Sequence, residues 1–302
     1  MTDPVLEALR EIVPVTRGRV NLGGRMLRWV ESGTGTPSVV LIAGRNDTAL
    51  SWGPVLAALA GRVHAVAYDR AGLGDSDPDR LILSTERSVA DLSRLINVVS
   101  AGPCVVAGHS YGGLLALLLA ASHPDQLAGL VLVDPALPGL LDPMPRPVRR
   151  AYGAAARARP IARYATGRGR SAAHDRAVSV ARAFSDDPQV RDLVVRAYLA
   201  SADWAHVRAG YREGRGIAAS EPAIRRAPAA PVTPGLPMVV LSATEGGPAW
   251  IRRRWTALQA ELAAEYGATH IVAEGSGHAV PLDRPALVAE AILGSAGDLM
   301  GG

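Results

Sequence analysis

Val105-Val106-Ala107-Gly108-His109-Ser110-Tyr111-Gly112-Gly113, followed by the apolar run Leu114 to Ala121, decides how the rest of the chain is read. Val105 to Ala107 is a short β-branched run of the buried-strand kind. The leucines and alanines after Gly113 predict a helix with no breaker until Pro124. Between strand and helix stands one serine, Ser110, with glycines two residues before and two after it. A tight strand-to-helix crossing leaves no room for Cβ atoms, which is what those glycines accommodate. The pattern is G-x-S-x-G, a turn that holds a serine hydroxyl out at the top of a sheet.

Outward from this turn the chain alternates. Apolar strands are expected at Val39–Ala43, Val63–Tyr68, Leu130–Val133, Met238–Ser242 and His270–Ala273, with helices at Trp52–Leu59, from Ser84 to about Val99, at Trp250–Tyr266 and at Pro285–Leu293. A short helix at Val5–Ile12 precedes two strands, Arg19–Leu22 and Met26–Val30, that flank Gly23-Gly24 as a hairpin. Alternation of this kind predicts an α/β fold: a mostly parallel sheet with helices on both faces and antiparallel strands at one edge.

The alternation stops at Pro138. Helical patterns alone follow, at Val148–Arg159, Ser171–Phe184, Pro188–Ala200 and Ala202–Arg212, and a Pro/Ala-rich segment, Pro222–Pro237, closes the region. Residues 139–235 carry 17 arginines against 8 acids, whereas the remainder of the chain is net acidic. A stretch with its own charge sign suggests its own structural unit. The expected division is a core of residues 1–138 and 236–302, with 139–235 inserted as a helical unit after the sixth strand.

Four motifs now stand in order: Asp69-Arg70-Ala71-Gly72-Leu73-Gly74, Gly108-His109-Ser110-Tyr111-Gly112, Leu132-Val133-Asp134-Pro135 and Gly275-Ser276-Gly277-His278. On these the chain resembles the α/β-hydrolase superfamily over nearly its whole length. The resemblance implies the α/β-hydrolase fold, and it implies that 139–235 forms a cap over the active site.

A serine alcohol needs an adjacent base to act as a nucleophile. Of seven histidines, His278 is the expected base, because it sits in a glycine loop after a strand and late in the chain, as the order Ser, acid, His demands. His109, beside the serine, is expected to point away and support the turn. Two acids compete for the third place. Asp134 ends the sixth strand, next to the elbow strand, and is preferred. Glu245 lies one residue before Gly246, the position that in many family members holds the aspartate. The backbone N–H groups of Tyr111 and Arg45 are the expected oxyanion donors. The loop after the third strand reads Ala43-Gly44-Arg45-Asn46-Asp47, with Ala43-Gly44 where the family usually has His-Gly. Gly44, Asn46 and the cap residue Trp204 are expected to contact substrate.

The expected reaction is hydrolysis of a carboxylic ester, thioester, lactone or small amide through an acyl-enzyme. Acyl transfer, cyclisation or other non-hydrolytic chemistry on the same fold, and a non-catalytic ligand-binding role, are the alternatives. The expected partner is a small acyl substrate, free or linked to a carrier or coenzyme A; no cofactor and no metal are expected, since no zinc-type spacing occurs. Nucleic acid is not expected, because no recognition motif accompanies the net charge of +4. No signal-peptide core and no bilayer-length apolar run is present, so the expectation is a cytoplasmic protein with no membrane association. Cys104, the single cysteine, is expected as a buried apolar thiol.

Overall fold

The computed structural model describes residues 4–35, 38–79, 84–200, 204–226 and 235–297. In chain order the elements are α1 (Pro4–Ile12), β1 (Val15–Asn21), β2 (Met26–Ser32), β3 (Val39–Ile42), α2 (Gly53–Leu59), β4 (Ala65–Asp69), α3 (Thr85–Val99), β5 (Cys104–His109), α4 (Tyr111–Ser122) and β6 (Leu127–Val133). Four helices follow: α5 (Arg146–Ala165), α6 (Arg168–Phe184), α7 (Pro188–Ala200) and α8 (Trp204–Arg226). The chain then returns through β7 (Met238–Ala243), α9 (Ala249–Tyr266), β8 (Thr269–Ala273), α10 (Val280–Asp283) and α11 (Pro285–Gly297).

The eight strands form one sheet in the order β1-β2-β4-β3-β5-β6-β7-β8. The first two pairings, β1 with β2 and β2 with β4, are antiparallel; all others are parallel. The central strands are buried along their whole length, which is why they read as continuous apolar runs. Strand periodicity splits the core in two. Val39, Leu41, Ala65, Ala67, Val105 and Ala107 face α1, α2 and α11, while their neighbours Val40, Ile42, Val66, Tyr68, Cys104 and Val106 face α3, α4 and α9. Cys104 is fully buried, and burial pushes its thiol up to about 12.

Several expected boundaries shift. The hairpin is longer than the alternation predicted, with Val15 already paired to Ser32. Helix α3 starts after Ser84, whose hydroxyl accepts the Arg87 N–H as a cap. Helix α8 carries the chain to Arg226 with Pro222 inside it, where a Pro/Ala-rich closing segment was expected. Proline forfeits only one N–H bond within an otherwise helix-forming run, and the rest of the turn proceeds. Residues 227–234 of that segment, and 201–203 at the expected start of the last inserted helix, lie outside the described residues.

Helices α5 to α8 come between β6 and β7 in sequence and pack back on other elements: α7 against α1 and α2, α6 against α10, and α8 against α3. Among the described residues no helix is long and apolar enough to cross a membrane.

Candidate active site

Ser110 is the only residue between the end of β5 and the start of α4. Its backbone lies at φ +52° and ψ −114°, a region costing a non-glycine residue about 1–3 kcal/mol unless its surroundings hold it there. The surroundings do so by close packing. A Cβ on Gly108 would fall 2.3 Å from the Gly112 carbonyl, and one on Gly112 would fall 2.2 Å from the Ile42 carbonyl. The first turn of α4 is pressed against the ends of β5 and β3, so both glycines are steric necessities, and the strained serine is where the chain turns.

The Ser110 hydroxyl lies 2.9 Å from His278 Nε2, and His278 Nδ1 lies 2.6 Å from Asp134 Oδ2. An ionised carboxylate only accepts, so Nδ1–H donates to Asp134 and the Nε2 lone pair is left to accept from Ser110. Asp134 is fully buried just past β6. Both its oxygens lie 2.9 Å from Arg252 Nη1, Gln259 Nε2 donates at 3.0 Å, and the Ala243 N–H donates at 3.3 Å. Burial opposes the charge, but His278, Arg252 and Gln259 outweigh it and hold the carboxyl well below the usual carboxylate range. Arg252 and Gln259 stand seven residues apart on α9, two turns along one face. Sequence reasoning missed both. No local signal marked them, because α9 has little amphipathic pattern from which a buried face could be read. On the same helix Trp255 sets its ring 4.9 Å from that of His278 and donates its indole N–H to the Pro135 carbonyl at 2.6 Å.

Glu245 lies elsewhere. Its side chain is 55% exposed and 3.8 Å from Arg176, while its backbone N–H donates to the Ser276 carbonyl. The geometry therefore brings Asp134, and not Glu245, to His278. His109 points away from Ser110, as expected, but it does more than support the turn. Its Nε2–H donates to the His278 carbonyl at 2.6 Å, with the two rings 4.9 Å apart. Burial, then the neighbouring His278, pushes its imidazole down to about 3, so it is neutral.

The loop after β3 forms the other side. A Cβ on Gly44 would come 2.8 Å from His109 Nδ1, so Gly44 lets the loop lie against that ring. Arg70, 2% exposed, donates to the Ala43 and Gly44 carbonyls at 2.5 and 2.7 Å and to both oxygens of Glu213 at 2.6 and 3.1 Å. Glu213 also accepts the Asn46 N–H at 3.0 Å. Asn46 is left-handed, at φ +74°, and its side chain fills the space where a Cβ on Gly210 would be. Tyr111 is the first residue of α4, where N–H groups have no intrahelical partner. Trp204 is not drawn into this cluster: it packs its ring 5.2 Å from Tyr164 and is 45% exposed. The expected substrate contact there thus falls on a surface aromatic pair.

A hydrogen-bonded serine–histidine–aspartate array at a strand–turn–helix crossing defines the class, and comparison with known proteins agrees. A family model described as "Alpha/beta hydrolase family" matches residues 39–291; the chain belongs to that family. Among curated proteins, it is 34% identical over 102 residues to RutD of Azorhizobium caulinodans, which bears the name of a carbamate hydrolase; the match covers 34% of this chain and 38% of that one. It is 29% identical over 137 residues to a soluble epoxide hydrolase of Corynebacterium sp., covering 44% of this chain and 47% of that one. The matches thus span less than half the length of these relatives. Among solved structures, Cfl2 of Burkholderia cenocepacia superposes with a TM-score of 0.69 at 25% identity, over 93% of this chain and 96% of that one.

Proposed function

We propose that the protein is a serine hydrolase that cleaves a carboxylic ester, thioester, lactone or small amide. One observation carries the reading: Ser110 Oγ, His278 and the buried Asp134 are joined by hydrogen bonds of 2.9 and 2.6 Å. In the proposed reaction His278 Nε2 takes the hydroxyl proton as Ser110 Oγ attacks the carbonyl carbon. The tetrahedral oxyanion is received by the Tyr111 and Arg45 N–H groups. Asp134 keeps the proton on Nδ1 and stabilises the imidazolium. His278 then protonates the leaving group, and water resolves the acyl-enzyme by the same steps.

The nucleophile narrows the substrate class. Serine attack on a carbonyl yields an ester, which this apparatus hydrolyses by repeating its own chemistry. Serine attack on an epoxide carbon would yield an ether, with no carbonyl for water to attack. Carbonyl substrates are therefore favoured over epoxides. Helices α5–α8 supply Glu213 to the loop after β3, which fits them to a lid over the site.

The test is hydrolysis of a short p-nitrophenyl ester together with labelling by a fluorophosphonate. Ser110→Ala and His278→Ala are each expected to lose about 10⁴-fold or more of kcat, and Asp134→Asn about 10⁴-fold, with Glu245→Gln unaffected. Retained turnover in either of the first two, or no labelling of Ser110, would overturn the reading.

A further inference from the structure

Helix α9 meets the triad with one face. Arg252, Trp255, Thr256 and Gln259 stand at positions i, i+3, i+4 and i+7 of that helix. Arg252 Nη1 lies 2.9 Å from each oxygen of Asp134, and Gln259 Nε2 donates to Oδ1 at 3.0 Å. Thr256 donates to the carbonyl of Ala243, whose N–H donates to Asp134. The Trp255 ring lies 5.0 Å from the Arg252 guanidinium carbon and 4.9 Å from the His278 ring. Asp134 Oδ2 links this face to the chemistry. It accepts from His278 Nδ1 at 2.6 Å and faces Arg252 Nη1 at 2.9 Å, so guanidinium and imidazole share one oxygen. The other nitrogen of that imidazole is 2.9 Å from Ser110 Oγ.

The ion pair is sealed from water: the side chains are 0% exposed at Asp134 and 8% at Arg252. Among the described residues Asp134 is the one acid paired with Arg252. A buried pair of this kind is screened little by salt. The cation favours the ionised carboxylate and opposes proton uptake by the Asp134–His278 pair, which titrates as a unit. Gln259 and the Ala243 N–H supply hydrogen bonds without charge. The other ionisable groups near His278 come from different elements. His109 of β5 is buried and neutral, with Asp47 3.9 Å from its Nδ1. Asp283 of α10 accepts the Gly277 N–H and is answered by Arg176 of α6 and Tyr198 of α7. Glu245 is exposed and faces the same Arg176. Among the described residues none of these bonds to Asp134.

We propose that Arg252 is a positioning residue that acts through Asp134: it keeps the Asp134–His278 pair free of an extra proton as the pH falls, and so sets the acid edge of activity. This rests on the hydrolase reading and adds a control on that same site. Without the guanidinium, the buried carboxylate faces the imidazole with no competing cation, and the pair binds a proton at higher pH. A protonated pair has no Nε2 lone pair to accept from Ser110, so activity is lost earlier on acidification. An arginine with a merely structural role would lower stability and leave the edge where it is.

The test is the pH profile of kcat/KM for a short p-nitrophenyl ester, across about pH 5 to 9, in the full chain and its variants. Arg252→Gln is expected to move the acid edge up by about one pH unit. Arg252→Lys, which keeps the charge, should recover at least about half of that shift. Arg253→Gln removes the same charge from the next, exposed position and should leave the edge in place. Gln259→Glu sets a second carboxylate beside Asp134 and should move the edge in the same direction, which keeps the test open where Arg252→Gln does not fold. An edge unmoved in whichever of Arg252→Gln and Gln259→Glu folds, or moved as far by Arg253→Gln, overturns the proposal and leaves the hydrolase reading standing. A lysine that recovers none of the shift counts against the charge as its cause. Nuclear magnetic resonance of protein labelled with 15N-histidine reads the pair without turnover, the His278 ring nitrogens being identified by their loss in His278→Gln. A titration shifted upward in Arg252→Gln supports the positioning role even if no ester is cleaved, and superimposable titrations overturn it.

Discussion

Two loops meet at Ser110, and each is tied to the inserted helices by one buried acid, but in opposite senses. At the loop after β3 the acid, Glu213, comes from the inserted helix α8 and the cation, Arg70, from the residue just past β4. At the loop after β8 the acid, Asp283, comes from α10, and the donors Arg176 and Tyr198 come from α6 and α7. Asp283 also accepts the Gly277 N–H at 2.6 Å, one residue before His278. The first knot is sealed: Arg70 is 2% and Glu213 7% exposed in their side chains. The second is half open, since Arg176 is 40% exposed against 4% for Asp283. What differs is the consequence of breaking each. An arginine stranded in the interior keeps its charge with nowhere to put it, whereas one at the surface turns to water.

The largest effect should follow Glu213→Ala. It leaves Arg70 charged, buried and without its carboxylate, and removes the acceptor of the Asn46 N–H, so a loss of about 3–5 kcal/mol is expected in the unfolding free energy measured by urea titration. A loss below about 1 kcal/mol would show that the sealed knot is no stronger than a surface pair. Asp283→Asn should cost less, about 1.5–3 kcal/mol, because Arg176 can be solvated. Its mark should be kinetic: the Gly277 N–H loses a charged acceptor beside the base, so kcat falls while KM holds. Equal losses of stability in the two variants would remove the distinction between the loops.

The smallest effect concerns pH. His109 buttresses both loops, lying against Gly44 and donating to the His278 carbonyl. Its folded pKa of about 3 lies below the unfolded value near 6.5. Between those values the unfolded chain binds a proton that the fold does not, so stability is full above about pH 6.5 and falls as the pH drops from there toward 3. In His109→Gln the fall in Tm between pH 6.5 and 4.5 should become shallower, with His270, also depressed by burial, retaining some slope. An unchanged slope would mean that His109 is not the group responsible.

Much of the fold was legible because its signals are local. Continuous apolar strands, the glycines about Ser110 and the Ser84 cap each lie within a few residues, and each carries its own steric or periodic reason. Ser110 and His278 stood out for the same reason, one from its elbow and the other from its glycine loop, and the structure joins them at 2.9 Å. Preference for Asp134 over Glu245 could be argued from strand order, but Gly246 left the matter open. The supports of the site were not legible. Arg252 and Gln259 look like ordinary helical polar residues, and Glu213 like one acid on an arginine-rich helix. His109 was read as serving only its own turn.

The sequence by itself determined the strand–turn–helix crossing, because Gly108 and Gly112 permit a packing that no side chain allows, and with it the position of Ser110 at the turn. Only the tertiary structure decided which carboxylate meets His278 and which arginine Glu213 neutralises. Those outcomes depend on the register of β6 against β7 and on where α8 and α9 come to rest. They are contacts between residues more than a hundred positions apart, as with Asp134 and Arg252 or Arg70 and Glu213, and no local pattern encodes them.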